Sequence, residues 1–414
     1  MHYLPPRLSV FALLVLACAT VVRGQRLDMT VLGKWRNIEI PFDLENDFIV
    51  IPIFLNNQIP LRFIVDTGAE NTVILDRTFT DVLDINYQRT FHVRGADMKS
   101  DLTAHLAVGV SMRLADRLLA RNRTVLVLEE NYFNLERITG TNIHGILGAD
   151  FLTRFVVDFD FRKQVMTLHD PQQFSPRKNL QEMDADFVRN RPYLNLGIGI
   201  LRDSLICRRL LLDTGAGLTL LMHTSPEHDH VDLPTQTVPA NIASGLGGTL
   251  SGSVGRSRQV AVADRRLTNV ITYFQDVDSS RLEVLNEREG IIGNRILQRF
   301  RIFIDYPRQK VYFRPDGRKW KQRFIYDRSG LSLLAGGENL RKFSVSNVIP
   351  GSPADEAGVQ VRDRLRAING INTSLLSLES IMRRLQGKPG RQVKLRVYRG
   401  GRLYDLTFRL RDLI

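Results

Sequence analysis

The chain has 414 residues, 43% of them hydrophobic and 24% charged, which is enough for two or three cored domains. Only Cys18 and Cys207 are present, so no disulfide framework holds it together. The formal charge is +13, but residues 318–414 carry 20 Lys and Arg against 8 Asp and Glu, leaving the first 317 residues almost neutral. The basic character belongs to the C-terminal part and suits an anionic surface. No aromatic–basic interleaving or nucleic-acid motif accompanies it, so no nucleic-acid partner is expected.

Residues 1–24 have the layout of a secretory signal peptide: one basic residue, the apolar run LSVFALLVLA and then small residues. The run is too short to span a membrane. Cleavage after Ala19 or after Gly24 fits, and VLAC loosely resembles a lipobox, which adds lipid anchoring at Cys18 as an alternative. Either route predicts an exported protein, periplasmic or secreted.

Residues 25–44 read as a lead-in. From Phe48 short β-rich runs dominate, punctuated by Gly, Asn and Asp. FIVDTGAENTVIL at 63–75 returns as LLLDTGAGLTLLM at 210–222. GILGADFLTRF from Gly145 returns as GIIGNRILQRF from Gly290. Asp66 precedes Gly145 by 79 residues and Asp213 precedes Gly290 by 77, so one module is duplicated. The halves are assigned to 45–171 and 191–316, joined by a polar, proline-bounded connector at 172–190. A linker at 317–328 leads to a last segment, 329–414, where strands alternate with two helices. GSPADEAG is a good helix start, with Ser352 placed to cap and Pro353 in the first turn.

The repeated Asp-Thr-Gly is what carries chemistry. Two carboxylates held together cannot both ionise easily; one keeps a proton while the other takes a proton from water. The protonated one then donates to the developing oxyanion. Thr67 and Thr214 supply hydroxyls able to bond across to the opposite loop, and Gly68 and Gly215 allow the tight turn.

This pattern resembles the retropepsin-like aspartic peptidases over residues 45–316. Ala69 and Ala216 follow the glycines as in the retroviral form, and Ile146-Leu147-Gly148 and Ile291-Ile292-Gly293 match the signature that crosses behind each catalytic loop. The resemblance implies a mainly β, bilobal acid-protease-like fold, with Asp66 and Asp213 catalytic and a protein or peptide substrate in the cleft. No metal or organic cofactor is implied, and one chain supplies both lobes, so a monomer is complete. It also implies a flap in each lobe, at Phe91–Leu106 and Asn241–Arg256. The alanines extend expected activity from acidic towards neutral pH. Residues 329–414 resemble a PDZ domain, β-sandwich-like with two helices. By that resemblance Gly330-Leu331-Ser332-Leu333 presents N–H groups to a peptide C-terminus, recruiting substrate or regulating access to the cleft. The alternative is a catalytically inactive protease-like scaffold serving a secreted PDZ peptide-binding protein.

Three smaller readings complete the sequence. Cys207, on an apolar strand, is expected to be buried and inert. His223, His228 and His230 read as a solvated polar loop rather than a metal site. The terminal Arg-Asp-Leu-Ile reads as a fraying end.

Overall fold

The computed structural model describes residues 28–31, 35–94, 101–224, 233–245, 248–277 and 288–414. The signal-peptide and lipobox readings therefore lie outside the described residues. No helix among the described residues is long and apolar enough to cross a membrane.

The chain is mainly β. Each half builds a large sheet around one arrangement. In the first, strand Ile59–Val65 ends at Asp66 and pairs in parallel with Gly145–Leu147, which pairs antiparallel with Val73–Ile74. In the second, Ile206–Leu212 ends at Asp213 and pairs in parallel with Gly290–Ile292, which pairs antiparallel with Leu220–Thr224. Each signature strand turns at once into a one-turn helix, Ala149–Leu152 or Asn294–Leu297. The glycines at the turn are steric requirements. A Cβ on Gly148 would lie 2.5 Å from the Asn71 carbonyl carbon, and one on Gly293 would lie 2.5 Å from the Leu218 oxygen.

The alternation of side chains along these strands separates two layers. Phe63 and Val65 enter the main core with Leu210 and Leu212, a single apolar cluster that runs through both halves. Ile64, between them, points to the other face and joins Val50, Leu75, Leu135 and Ile143 in a second, smaller cluster.

A six-stranded sheet joins the halves. Val156–Asp160 and Phe300–Asp305 pair antiparallel at its centre, with Val157 opposite Ile304. Arg301 clamps the seam, donating to Asp158 at 2.8 and 2.5 Å. The presumed lead-in is corrected here: Asn37–Pro41 is an edge strand of this sheet, paired with Val165–His169, and Asp43–Glu45 pairs with Phe48–Leu55. The connector is likewise structural, because Gln181–Met183 adds to the opposite edge and Ala185–Val188 pairs with Arg191–Gly199. Polar sequence hid these strands, since edge strands expose one face.

Residues from Leu331 form a separate small sheet with its own core, flanked by helices Pro353–Glu356 and Leu378–Leu385. Ser352 and Ser377 cap the two helices, accepting from the N–H groups of Asp355 and Ser380. The chain end does not fray. Gln236 Nε2 donates to the Leu413 carbonyl at 2.9 Å, Arg256 Nε donates to the Ile414 carbonyl at 3.2 Å, and Ile414 packs on the main core. Cys207 is also corrected: it is exposed, because it lies at the outer end of its strand opposite Gly197, ahead of the buried Leu210–Leu212 stretch.

Candidate active site

The two Asp-Thr-Gly loops meet head to head. Thr67 Oγ1 donates to the Leu212 carbonyl and Thr214 Oγ1 donates to the Val65 carbonyl, both at 2.7 Å. Each hydroxyl also accepts from the opposite backbone N–H, at 3.0 Å from Thr67 and 3.1 Å from Thr214. Both threonines are fully buried, so these four bonds form away from water. They fix the loops at the distance where the carboxyls touch. A Cβ on Gly68 would lie 2.7 Å from Asp213 Cγ, and one on Gly215 only 2.2 Å from Asp66 Cγ.

The carboxyls are not equivalent. Asp66 Oδ1 accepts from Gly68 N–H at 2.7 Å and Ala69 N–H at 2.9 Å, whereas Asp213 Oδ1 accepts from Gly215 N–H alone, at 2.8 Å. In the second lobe Ala216 N–H turns instead to the Asp213 backbone carbonyl, at 3.4 Å. Burial pushes both carboxyls above the ordinary aspartate range. Asp213 is raised further by the charge of Asp66, while the N–H donors and the carboxyl–carboxyl hydrogen bond hold Asp66 lower. Retention of one proton by the pair is therefore favoured, and the additional N–H donor favours Asp66 as its charged member.

Ile146 and Ile291 of the signature strands stand half-buried beside the loops, while Leu147 and Ile292 are in the core. Asn294, just after the second signature, was not foreseen. Its Nδ2 donates to the Thr214 carbonyl at 2.6 Å and to the Asp47 carbonyl at 2.8 Å, tying the second loop to a first-lobe turn. A single Asn in GIIGNRIL gave no signal, because its partners are backbone atoms distant in sequence. The flap readings fall on hairpins: Tyr87–Arg94 pairs with Asp101–Leu114, and Val238–Gly245 with Gly248–Val262, while residues 95–100 and 246–247 lie outside the described residues.

His223 is not in a solvated loop. It is buried on strand Leu220–Thr224, and its basicity is pushed down to about 3 by burial and then by the charge of Arg288. His228 and His230 lie outside the described residues. Among the described residues no group of three metal-ligand side chains occurs.

Residues 51–151 match the aspartyl protease family and residues 344–399 match a PDZ domain. The chain joins an aspartyl-protease domain to a C-terminal PDZ domain. Curated relatives include a probable CtpA-like serine protease of Staphylococcus saprophyticus, 33% identical over 100 residues, which are 23% of this chain and 20% of that protein. Carboxyl-terminal-processing proteases of Picosynechococcus (45% over 49 residues, 12% of each chain) and Synechocystis (39% over 67 residues, 16% of each) also match. The matches span a fifth or less of these relatives. Among solved structures, basic 7S globulin from soybean superposes with a TM-score of 0.41 at 9% identity, covering 70% of this chain and 95% of that one. Conglutin gamma from lupine gives 0.43 at 10% identity, covering 70% and 97%.

The PDZ loop departs from the expected use. Gly330 has φ +84, and its N–H already donates to Asp327 Oδ1 at 2.6 Å. The Ser329 and Leu331 N–H groups donate to the same oxygen at 2.9 and 3.3 Å. Two of the four expected donors, the Gly330 and Leu331 N–H groups, are thus engaged by a carboxylate of this chain. Burial raises Asp327 to about 6 despite these bonds. Ser332 and Leu333 continue into the strand Leu331–Gly336, paired with Lys342–Val348. The first-lobe helix Leu135–Thr139 packs against this strand, and Gly140, which ends that helix, approaches the helix Leu378–Leu385 so closely that an added Cβ would sit 3.0 Å from Leu378 Cβ.

Proposed function

We propose that this chain is an exported aspartic endopeptidase in which Asp66 and Asp213 activate one water molecule. The carrying observation is the pair of loops locked face to face by crossed threonine hydroxyls, so that carboxyls 147 residues apart share a proton. Asp66, charged and held by two N–H donors, takes the proton of the attacking water. Asp213, protonated, donates to the carbonyl oxygen as charge develops there, and no acyl-enzyme forms. One of the curated relatives is named a serine protease and the matches span a fifth or less of those proteins, so the aspartic reading rests on the paired loops. The apolar N-terminal run supports export.

The PDZ domain regulates access to the cleft. Its Leu331–Gly336 strand rests on helix Leu135–Thr139, whose Ile138 carbonyl accepts from Asn46 Nδ2 at 2.9 Å. The neighbouring Asp47 is held by Asn294, which also holds the Thr214 loop. Movement at the PDZ strand thus has a packed route to the dyad. Asp327 argues against capture of a free C-terminus and for an extended internal segment as ligand.

The experiment is cleavage of a peptide library by the full chain, compared with Asp66→Asn and Asp213→Asn. Each substitution is expected to abolish turnover. Cleavage that survives either change, or that is absent from the unmodified protein, defeats the enzymatic reading in favour of a scaffold.

A further inference from the structure

Hydrogen bonds place the two lobes in correspondence, with a one-residue shift after the Asp-Thr-Gly loops, and the comparison exposes one difference near the dyad. In the first lobe Leu75 N–H donates to the His144 carbonyl at 2.9 Å; in the second His223 N–H donates to the Glu289 carbonyl at 2.8 Å. Arg62 N–H donates to His144 Nδ1 at 2.9 Å, and Arg209 N–H donates to Glu289 Oε2 at 2.7 Å. Gly145 pairs with Ile74, and Gly290 with Met222. Leu75 therefore corresponds to His223, and Ile143, two residues before Gly145, corresponds to Arg288, two residues before Gly290. Leu75 and Ile143 belong to the small apolar cluster on the face of the first-lobe sheet away from the main core. The equivalent face of the second lobe carries an imidazole and a guanidinium.

Both of these groups are desolvated, and three of their nitrogens are left unsatisfied among the described residues. Among the described residues, neither ring nitrogen of His223 nor Arg288 Nε has a hydrogen-bond partner, although all three atoms are buried. The Tyr193 hydroxyl and Nε and Nη2 of nearby Arg191 share that condition. Buried polar atoms are almost always satisfied, so such a concentration marks a place where a polar ligand group belongs. The charged group that acts most on Arg288 is Asp213, followed by Tyr193, Arg191 and Asp66, and the Glu289 carboxylate is engaged by Arg208.

We propose that Arg288 and His223 form a carboxylate-recognising subsite on the second-lobe side of the dyad, so that the protease prefers an acidic residue on that side of the scissile bond and an apolar one on the other. An Asp or Glu side chain supplies acceptors for the guanidinium, and the neutral imidazole is available as a further donor. The apolar cluster around Ile143 offers the opposite subsite only hydrophobic contact. This rests on the aspartic-endopeptidase reading and adds a substrate class to it.

The test uses the full chain. Library cleavage identifies a preferred site, and matched peptides with Glu or Gln at the second-lobe position are then compared. At least a tenfold preference in kcat/KM for Glu is expected, falling towards one in Arg288→Leu and partly retained in Arg288→Lys. Equal use of Glu and Gln by the unmodified protein overturns the proposal. So does an Arg288→Leu variant that loses activity equally on both peptides, since that pattern belongs to a residue tuning the dyad. His223→Leu, which copies the first lobe, provides a second variant expected to reduce the ratio should Arg288→Leu not fold. If no peptide is cleaved, the enzymatic reading has failed, and calorimetric binding of the same pair decides the subsite: tighter Glu binding supports it and equal affinities overturn it.

Discussion

Replacing Thr214 with valine keeps the shape of the side chain and removes one oxygen. That oxygen makes two short bonds, donating to the Val65 carbonyl at 2.7 Å and accepting from Thr67 N–H at 3.0 Å, and a long contact of 3.5 Å to Thr67 Oγ1. Thr67 is fully buried, so its N–H would be left without water or a protein acceptor, costing about 1–3 kcal/mol. The Val65 carbonyl loses the Thr214 hydroxyl as a donor, adding roughly 1 kcal/mol. The expected destabilisation is therefore about 2–4 kcal/mol, read by denaturant unfolding of the two-lobed body. The Thr67→Val change removes the mirror-image bonds to Leu212 and Thr214. Because each hydroxyl serves the other's backbone, the double variant should cost less than the sum of the singles. A loss below about 1 kcal/mol for Thr214→Val, or strict additivity, would refute the view that crossed hydroxyls hold the loops together.

Three further outcomes follow from the geometry. Gly215→Ala would put a methyl 2.2 Å from Asp66 Cγ, so turnover should vanish while the PDZ domain remains folded, checked by activity beside limited proteolysis. The pH–rate profile should be bell-shaped, losing activity as Asp66 gains a proton on the acid side and as Asp213 loses its proton on the alkaline side. The raised position of Asp213 carries the alkaline limb above the ordinary carboxylate range, and a profile confined to strongly acidic pH would contradict it. Asp327 is raised from 3.8 to about 6, so its protonated form is the one the fold favours. Its contribution to stability is fully present below about pH 4 and falls as pH rises through 6. Asp327→Asn should flatten that slope in thermal unfolding of the full chain, and amidating a peptide ligand's C-terminus should leave its affinity for the unmodified PDZ domain unchanged.

The duplicated Asp-Thr-Gly and the two apolar-apolar-Gly runs were legible because their spacing repeats within one chain. So was the PDZ helix start, since Ser352 and Pro353 act within a few residues of themselves. The edge strands Asn37–Pro41 and Gln181–Met183 were not legible, because half of each faces solvent and the composition reads as linker. His223 was misread for the opposite reason. Its polar neighbours Glu227 to Asp229 set the apparent character of the stretch, while the strand pairing with Gly290–Ile292 buries the imidazole. The terminal Leu413 and Ile414 looked like a loose end because Gln236 and Arg256, which hold them, are more than 150 residues away.

The residues themselves determined that this protein carries two carboxylates, each at the end of an apolar strand and followed by a hydroxyl and a glycine, because those requirements are local. Tertiary structure alone decided that the two carboxyls differ. One loop gives its carboxylate two N–H donors and the other gives one, and the charge of Asp66 raises Asp213 further. A repeated motif specifies equal chemistry in both halves. The inequality arises from what the fold packs around each copy, and an acid–base pair depends on that inequality to know which carboxyl keeps the proton.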